Sequence, residues 1–201
     1  MDLASGLRDE LFRPVVTIVI PGVLAMTPFV FVLGLYYPRL PEFIHDESGL
    51  AAFLGFIAAI TFGLLSYEIG TIGEAEMLDR ILVWWTRKKL TTESNPFLDN
   101  WYLYLRCTFD ENKEPIGQRY IHDVILYLRF ELNMAASLLI GWIGILWLHN
   151  KGSVLSGDLF WYMSLVCFVG AGLFLLAALS TGGILARVRA ELLKGCQRPP
   201  F

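Results

Sequence analysis

GLAAFLGFIAAITFGLLSYEIGTIGEAEMLDRILVWWTRKK, residues 49–89, carries a line of small side chains along its length. Ala52, Gly55, Ala59, Gly63, Ser66, Gly70 and Gly73 recur at steps of three and four, the spacing of one side of an α-helix. Phe53, Ile57, Ile60, Leu64 and Tyr67 make the rest of that helix bulky. From Gly49 to Ile69 the only charge is Glu68, and the stretch has the length of about 20 apolar residues that crosses a bilayer core. The helical pattern then continues into a charged arm, Glu74 to Lys89. One helix over the whole stretch would be about 60 Å long, roughly twice the hydrocarbon thickness. The element is therefore predicted to cross a membrane, to pack closely against another helix and to project into water.

The rest of the chain repeats the theme. Only 17% of the 201 residues are charged and the mean hydropathy is +0.54, so a soluble domain is excluded. The charges avoid four blocks, 14–37, 49–69, 133–150 and 159–181, each near the spanning length. The predicted fold class is an all-α integral membrane protein with four transmembrane helices. A helical cytoplasmic stalk, formed by extensions of spans two and three, occupies 70–132. The formal charge of −3 implies neither an acidic nor a basic partner.

Lysine and arginine set the orientation. Arg8 and Arg13 precede the first span, eight basic residues fall in 70–132, and Arg187, Arg189, Lys194 and Arg198 follow the fourth. The two remaining loops hold only Arg39 and Lys151. Both termini and the long insert are thus predicted to be cytoplasmic, in the inner or plasma membrane. The first span is read as a retained anchor and not as a cleaved leader, because Tyr36-Tyr37-Pro38 follows it without a small-x-small site. Cys107 and Cys196 fall on the reducing side and Cys167 inside the fourth span, so no disulfide is expected.

In chain order, residues 1–13 read as a short interfacial helix. The first span holds Pro14, Pro21 and Pro28 at seven-residue spacing, which places their bends on nearly one face. Either this is a kinked packing helix or the helix flexes at a gate. Residues 38–48 form a short acidic loop, in which His45 is a solvated side chain. At Asn95-Pro96 a cap and a first-turn proline open a helix of about 96–107. A polar loop over 110–117 leads to a helical pattern, 118–149, that enters the third span without a breaker. Ser137, Gly141 and Gly144 have the spacing of close helix contact, and Trp147 marks the outer end. The fourth span ends at Thr181-Gly182-Gly183, and a basic tail, 182–201, follows.

No catalytic set is visible. There is no His-Glu-x-x-His, no phosphate-binding glycine loop and no Cys-x-x-Cys, and His45, His122 and His149 are not spaced as metal ligands. No cofactor or metal is implied, and the chain is read as a non-enzyme.

Three polar residues near the inner ends of spans are candidates for a pore or gate: Glu68, Glu131 and Asn133. A carboxylate within a bilayer costs about 2.5–3.5 kcal/mol at the centre of a helix, so such residues tend to carry function. The plainer reading of Glu68 is an interfacial acid paired with Arg129 or Arg187. The small stripe, Ala52 to Gly73, either packs spans of one chain together or joins subunits. Arg87, Lys88 and Lys89, with Trp101, Arg106 and Arg119, form a candidate ligand-binding set. Charge plus stacking there fits a nucleotide or a single-stranded nucleic acid. Against nucleic acid, the insert has 8 basic and 10 acidic residues, and the cluster equally suits anionic lipid.

The layout resembles small membrane effectors of prokaryotic anti-phage defence: four spans, a compact cytoplasmic module between the second and third, and no catalytic set. The likeness is carried by the layout and by no motif. It implies a homo-oligomeric channel gated by a cytoplasmic ligand or protein. The alternatives are a non-conducting membrane scaffold or accessory subunit, and a membrane enzyme acting on lipid.

Overall fold

The computed structural model describes residues 15–72, 116–151 and 156–196. Every regular element among them is helical. A π-helical turn, Val15–Val19, leads directly into α1, Ile20–Tyr36. A short helix α2, Leu40–Asp46, is followed by α3, Ser48–Ile72, α4, Ile116–Asn150, and α5, Gly157–Cys196. Four stretches are long and apolar enough to cross a membrane: Val15–Tyr36, Ser48–Ile72, Ile121–Asn150 and Gly157–Leu185. The readings that fall on 1–14, 73–115, 152–155 and 197–201 lie outside the described residues; they include the N-terminal interfacial helix, the arm 74–89 and the capped helix at 96–107.

Local chemistry explains the element ends. Pro21 sits in the first turn of α1, where a missing N–H is tolerated, whereas Pro28 lies inside the helix. At Tyr37 the backbone leaves helical geometry (φ −124°, ψ 85°) because the next residue is Pro38, which disfavours the helical region before it. Residues 38–48, expected to be a loop, instead contain α2. Pro41 pre-sets its first turn, and Leu40, Phe43 and Ile44 recur at helical spacing.

α4 runs unbroken from Ile116 into the third span, as its pattern predicts, and is about 52 Å long at 1.5 Å per residue. α5 does not stop at Gly182-Gly183 but continues to Cys196. Ala178, Gly182 and Leu185 continue one buried line through the glycines. Burial there outweighs the glycine cost of roughly 1 kcal/mol per residue.

The chain divides into two compact units, Met1–Thr71 with Arg129–Leu175, and Ile72–Leu128 with Leu176–Phe201. In the second, Ile121, Val124 and Leu128 are buried on one face of α4, and Ala178 and Leu185 on α5. The first is a helix bundle with α4 at its centre. α4 meets α1 at Pro28, α3 at Ser66 and α5 at Trp142. Its span is 56% buried, against 28%, 11% and 22% for the other three in chain order, so most of the bundle's packing is made on α4.

Close approach is set by glycine. A Cβ on Gly22 would strike the backbone of Ala59, and one on Gly63 would strike the carbonyl of Ile18, so α1 and α3 touch backbone to backbone. On α4, a Cβ at Gly144 would come within 2.8 Å of Pro28 and 3.2 Å of the Phe29 ring. The stripe on α3 is therefore used unevenly. Ala59, Gly63, Ser66 and Gly70 are buried inside the bundle, whereas Ala52 is exposed and Gly55 has open space around it.

Gly22→Ala and Gly63→Ala should each destabilise the bundle by about 1–3 kcal/mol or more, the cost of overpacking. Gly55→Ala should be neutral or stabilising by up to about 1 kcal/mol through helix propensity. Denaturant-induced unfolding in mixed micelles, followed by circular dichroism, ranks the three. Equal losses at all three positions would contradict the backbone contacts.

Candidate functional site

The polar chemistry of the bundle collects where the π-helical turn meets α3 and α4. In an α-helix the N–H of residue 21 would donate to the carbonyl of residue 17. Proline has no N–H, so Pro21 cannot supply that bond. Asn133 Nδ2 on α4 donates to the Thr17 carbonyl oxygen at 3.0 Å. Asn133 is 1% exposed. Gly70 on α3 makes the room, since a Cβ there would lie 2.6 Å from Asn133 Oδ1.

One turn further along α4, Ser137 Oγ donates to Ser66 Oγ at 2.9 Å, and Ser66 Oγ donates to the Phe62 carbonyl at 2.9 Å. Both serines are fully buried. The chain of bonds thus closes on the backbone with both hydroxyl protons used. On the opposite side of α4, Trp142 Nε1 donates to Ser164 Oγ of α5 at 3.2 Å, with the Phe168 ring 4.9 Å from the indole. The guanidinium of Arg129 lies 5.7 Å from the centre of the Tyr67 ring, a cation–π contact. Among the described residues, Arg129 Nε has no hydrogen-bond partner. At the other end of the bundle, the His149 ring stacks on Phe160 at 4.1 Å, and Tyr36 lies between Trp147 and Lys151.

The candidates read from the sequence are distributed as follows. Asn133 is inside the bundle and Glu131 is half-buried two residues away on α4. Glu68 is exposed on α3. It stands roughly 140–180° around the helix from the buried stripe of Ala59, Gly63, Ser66 and Gly70. Glu68 and Asn133 therefore lie on opposite sides of α3 and do not form one cluster. Arg129 is directed to Tyr67 and makes no ion pair with Glu68 among the described residues. Gly73, Arg87, Lys88, Lys89, Trp101 and Arg106 lie outside the described residues, as do the side chains of Arg119 and Arg187. No group of His, Cys, Asp or Glu suited to a metal occurs among the described residues.

Sequence reasoning did not pair Pro21 with Asn133, Ser66 with Ser137 or Trp142 with Ser164. A signal for the first was present: a proline inside a span always leaves the carbonyl four residues earlier without its usual donor. What spacing along one helix does not reveal is which neighbour supplies the replacement. The chain matches no protein-family model, no curated protein and no solved structure.

Asn133→Leu should cost about 0.6–1.7 kcal/mol, the range of interhelical hydrogen bonds in membranes. Pro21→Ala should reduce that cost, because residue 21 then has its own N–H for the Thr17 carbonyl. A double-mutant cycle in micelles measures the coupling. Strict additivity would mean that the two residues do not serve the same acceptor.

Proposed function

We propose that the chain is a homo-oligomeric membrane channel or pore-forming effector, gated through the insert 70–132, with both termini and the insert in the cytoplasm of the inner (plasma) membrane. The carrying observation is Glu68, a carboxylate on the face of α3 that the chain leaves exposed, while the interior hydroxyls and the Asn133 amide are engaged in packing. Thr61 shares that exposed face, two helical turns away, with its hydroxyl donating to the Ile57 carbonyl at 2.9 Å. Among the described residues the interior polar groups are taken up by helix contacts, so conduction requires several copies around an axis. In such a ring the exposed face of α3 turns inward, and Glu68 meets water in place of lipid. Glu131 would stand near the same mouth, and Asn133 would hold α1 to α4 behind it. The gating partner would be a cytoplasmic ligand or protein reaching the insert, as in the anti-phage effectors whose layout this chain resembles.

The second reading is a non-conducting scaffold or accessory subunit. It is favoured by the position of Glu68 near the charged end of the apolar stretch Gly49–Ile69, from where the carboxylate can reach the headgroups without a neighbouring copy.

Purified protein in planar bilayers should conduct, and native mass measurement should find several copies. Glu68→Gln should lower cation over anion preference several-fold, read from reversal potentials in a salt gradient. A monomer without conductance would leave the scaffold reading in place.

A further inference from the structure

α2 is the least covered helix in the bundle, and its two sides differ. Leu40, Phe43 and Ile44 share one side, whereas Glu42, His45 and Asp46 share the other. Phe43 is 37% exposed and Ile44 45% among the described residues. The polar side is open: His45 Nδ1 and Asp46 Oδ1 are 3.2 Å apart, with side chains 90% and 75% exposed.

Chain connectivity decides what can cover the apolar side. Three residues, Tyr37 to Arg39, separate α2 from α1, and Glu47 alone separates it from α3. Three fully extended residues reach about 10 Å, but the single residue Glu47 spans at most about 3.6 Å. The headgroup layer on each side of the hydrocarbon core is about 5–8 Å deep. A helix tethered so tightly to two spans cannot leave the membrane surface. The aromatic group at that end, Tyr36 against Trp147 with Lys151 over the Tyr36 ring, marks the same depth.

We infer that α2 is an interfacial helix whose partner is the lipid surface itself. It lies along the bilayer with Leu40, Phe43 and Ile44 at the acyl boundary and Glu42, His45 and Asp46 among the headgroups. The carboxylates of Glu42, Asp46 and Glu47 outnumber the cations Arg39 and Lys151 at that end and make the preferred surface zwitterionic, such as phosphatidylcholine, since anionic headgroups would be repelled.

Spin labels test the placement in full-length protein reconstituted into phosphatidylcholine vesicles. Single cysteines replace Glu42, Phe43, Ile44 or His45 in a background of Cys107→Ser, Cys167→Ala and Cys196→Ser. Labels at 43 and 44 should relax faster with oxygen than with a water-soluble nickel chelate, and labels at 42 and 45 the reverse. Equal nickel accessibility at all four positions overturns the inference. Wild-type protein gives a second readout that needs no substitution. Amide exchange over 40–46 should be slower in phosphatidylcholine vesicles than in vesicles rich in phosphatidylglycerol. Exchange at the rate of an unstructured peptide in both overturns it equally.

Discussion

Within hydrocarbon every backbone carbonyl must find a donor, because water is not there to supply one. This constraint organises the bundle. Pro21 has no N–H to offer the Thr17 carbonyl, and Asn133 donates to that carbonyl from α4. The bond ties two helices distant in sequence. It also explains why an amide side chain, costly in an apolar interior, sits 1% exposed in the middle of the packing. Gly70 on a third helix is part of the same arrangement, for any larger residue would press on the Asn133 oxygen.

Once α1 is held to α4, the remaining contacts follow from side-chain size. Gly22 and Gly63 bring α1 and α3 together at the backbone, and Gly144 admits the ring of Pro28. The Ser137–Ser66 bond joins α4 to α3 at the same level. Lipid chains are as apolar as leucine, so shape and interhelical bonds, and not water exclusion, hold these faces. α5 adds aromatic contacts to its Trp142–Ser164 hydrogen bond with α4: Phe168 on Trp142, Phe160 on His149 and Phe174 edge-on to Phe130.

Spans and helical class were legible because length and the absence of charge are one-dimensional properties. The unbroken passage of α4 into the third span was legible for the same reason: nothing from Gln118 to His149 interrupts the pattern. The helix at 40–46 was hidden by the acidic residues Glu42, Asp46 and Glu47 of the segment 38–48, although Pro41 and the Leu40–Phe43–Ile44 spacing were there to be read. The continuation of the helix past the glycine pair was not legible, because the buried line of Ala178, Gly182 and Leu185 that runs through it is a property of packing. At the candidate site, the residue types were visible and their pairing was not. Glu68 and Asn133 looked alike as polar residues near the ends of spans. Only the rotational position of each on its helix separates a carboxylate facing outward from an amide facing the core.

The turn at Val15–Val19 has a consequence for how this segment tolerates change in length. A π-helical turn holds one residue more than the α-helical turn it replaces, so it acts as a single-residue insertion absorbed without breaking the rod. Loss of one residue from the turn would return the segment to plain α-helix and leave everything from Ile20 onward in register. Loss of one residue within Ile20–Tyr36 would instead swing Gly22 or Pro28 off the faces that α3 and α4 are shaped to receive. The first span therefore has one place where its length is adjustable and a longer part where it is not.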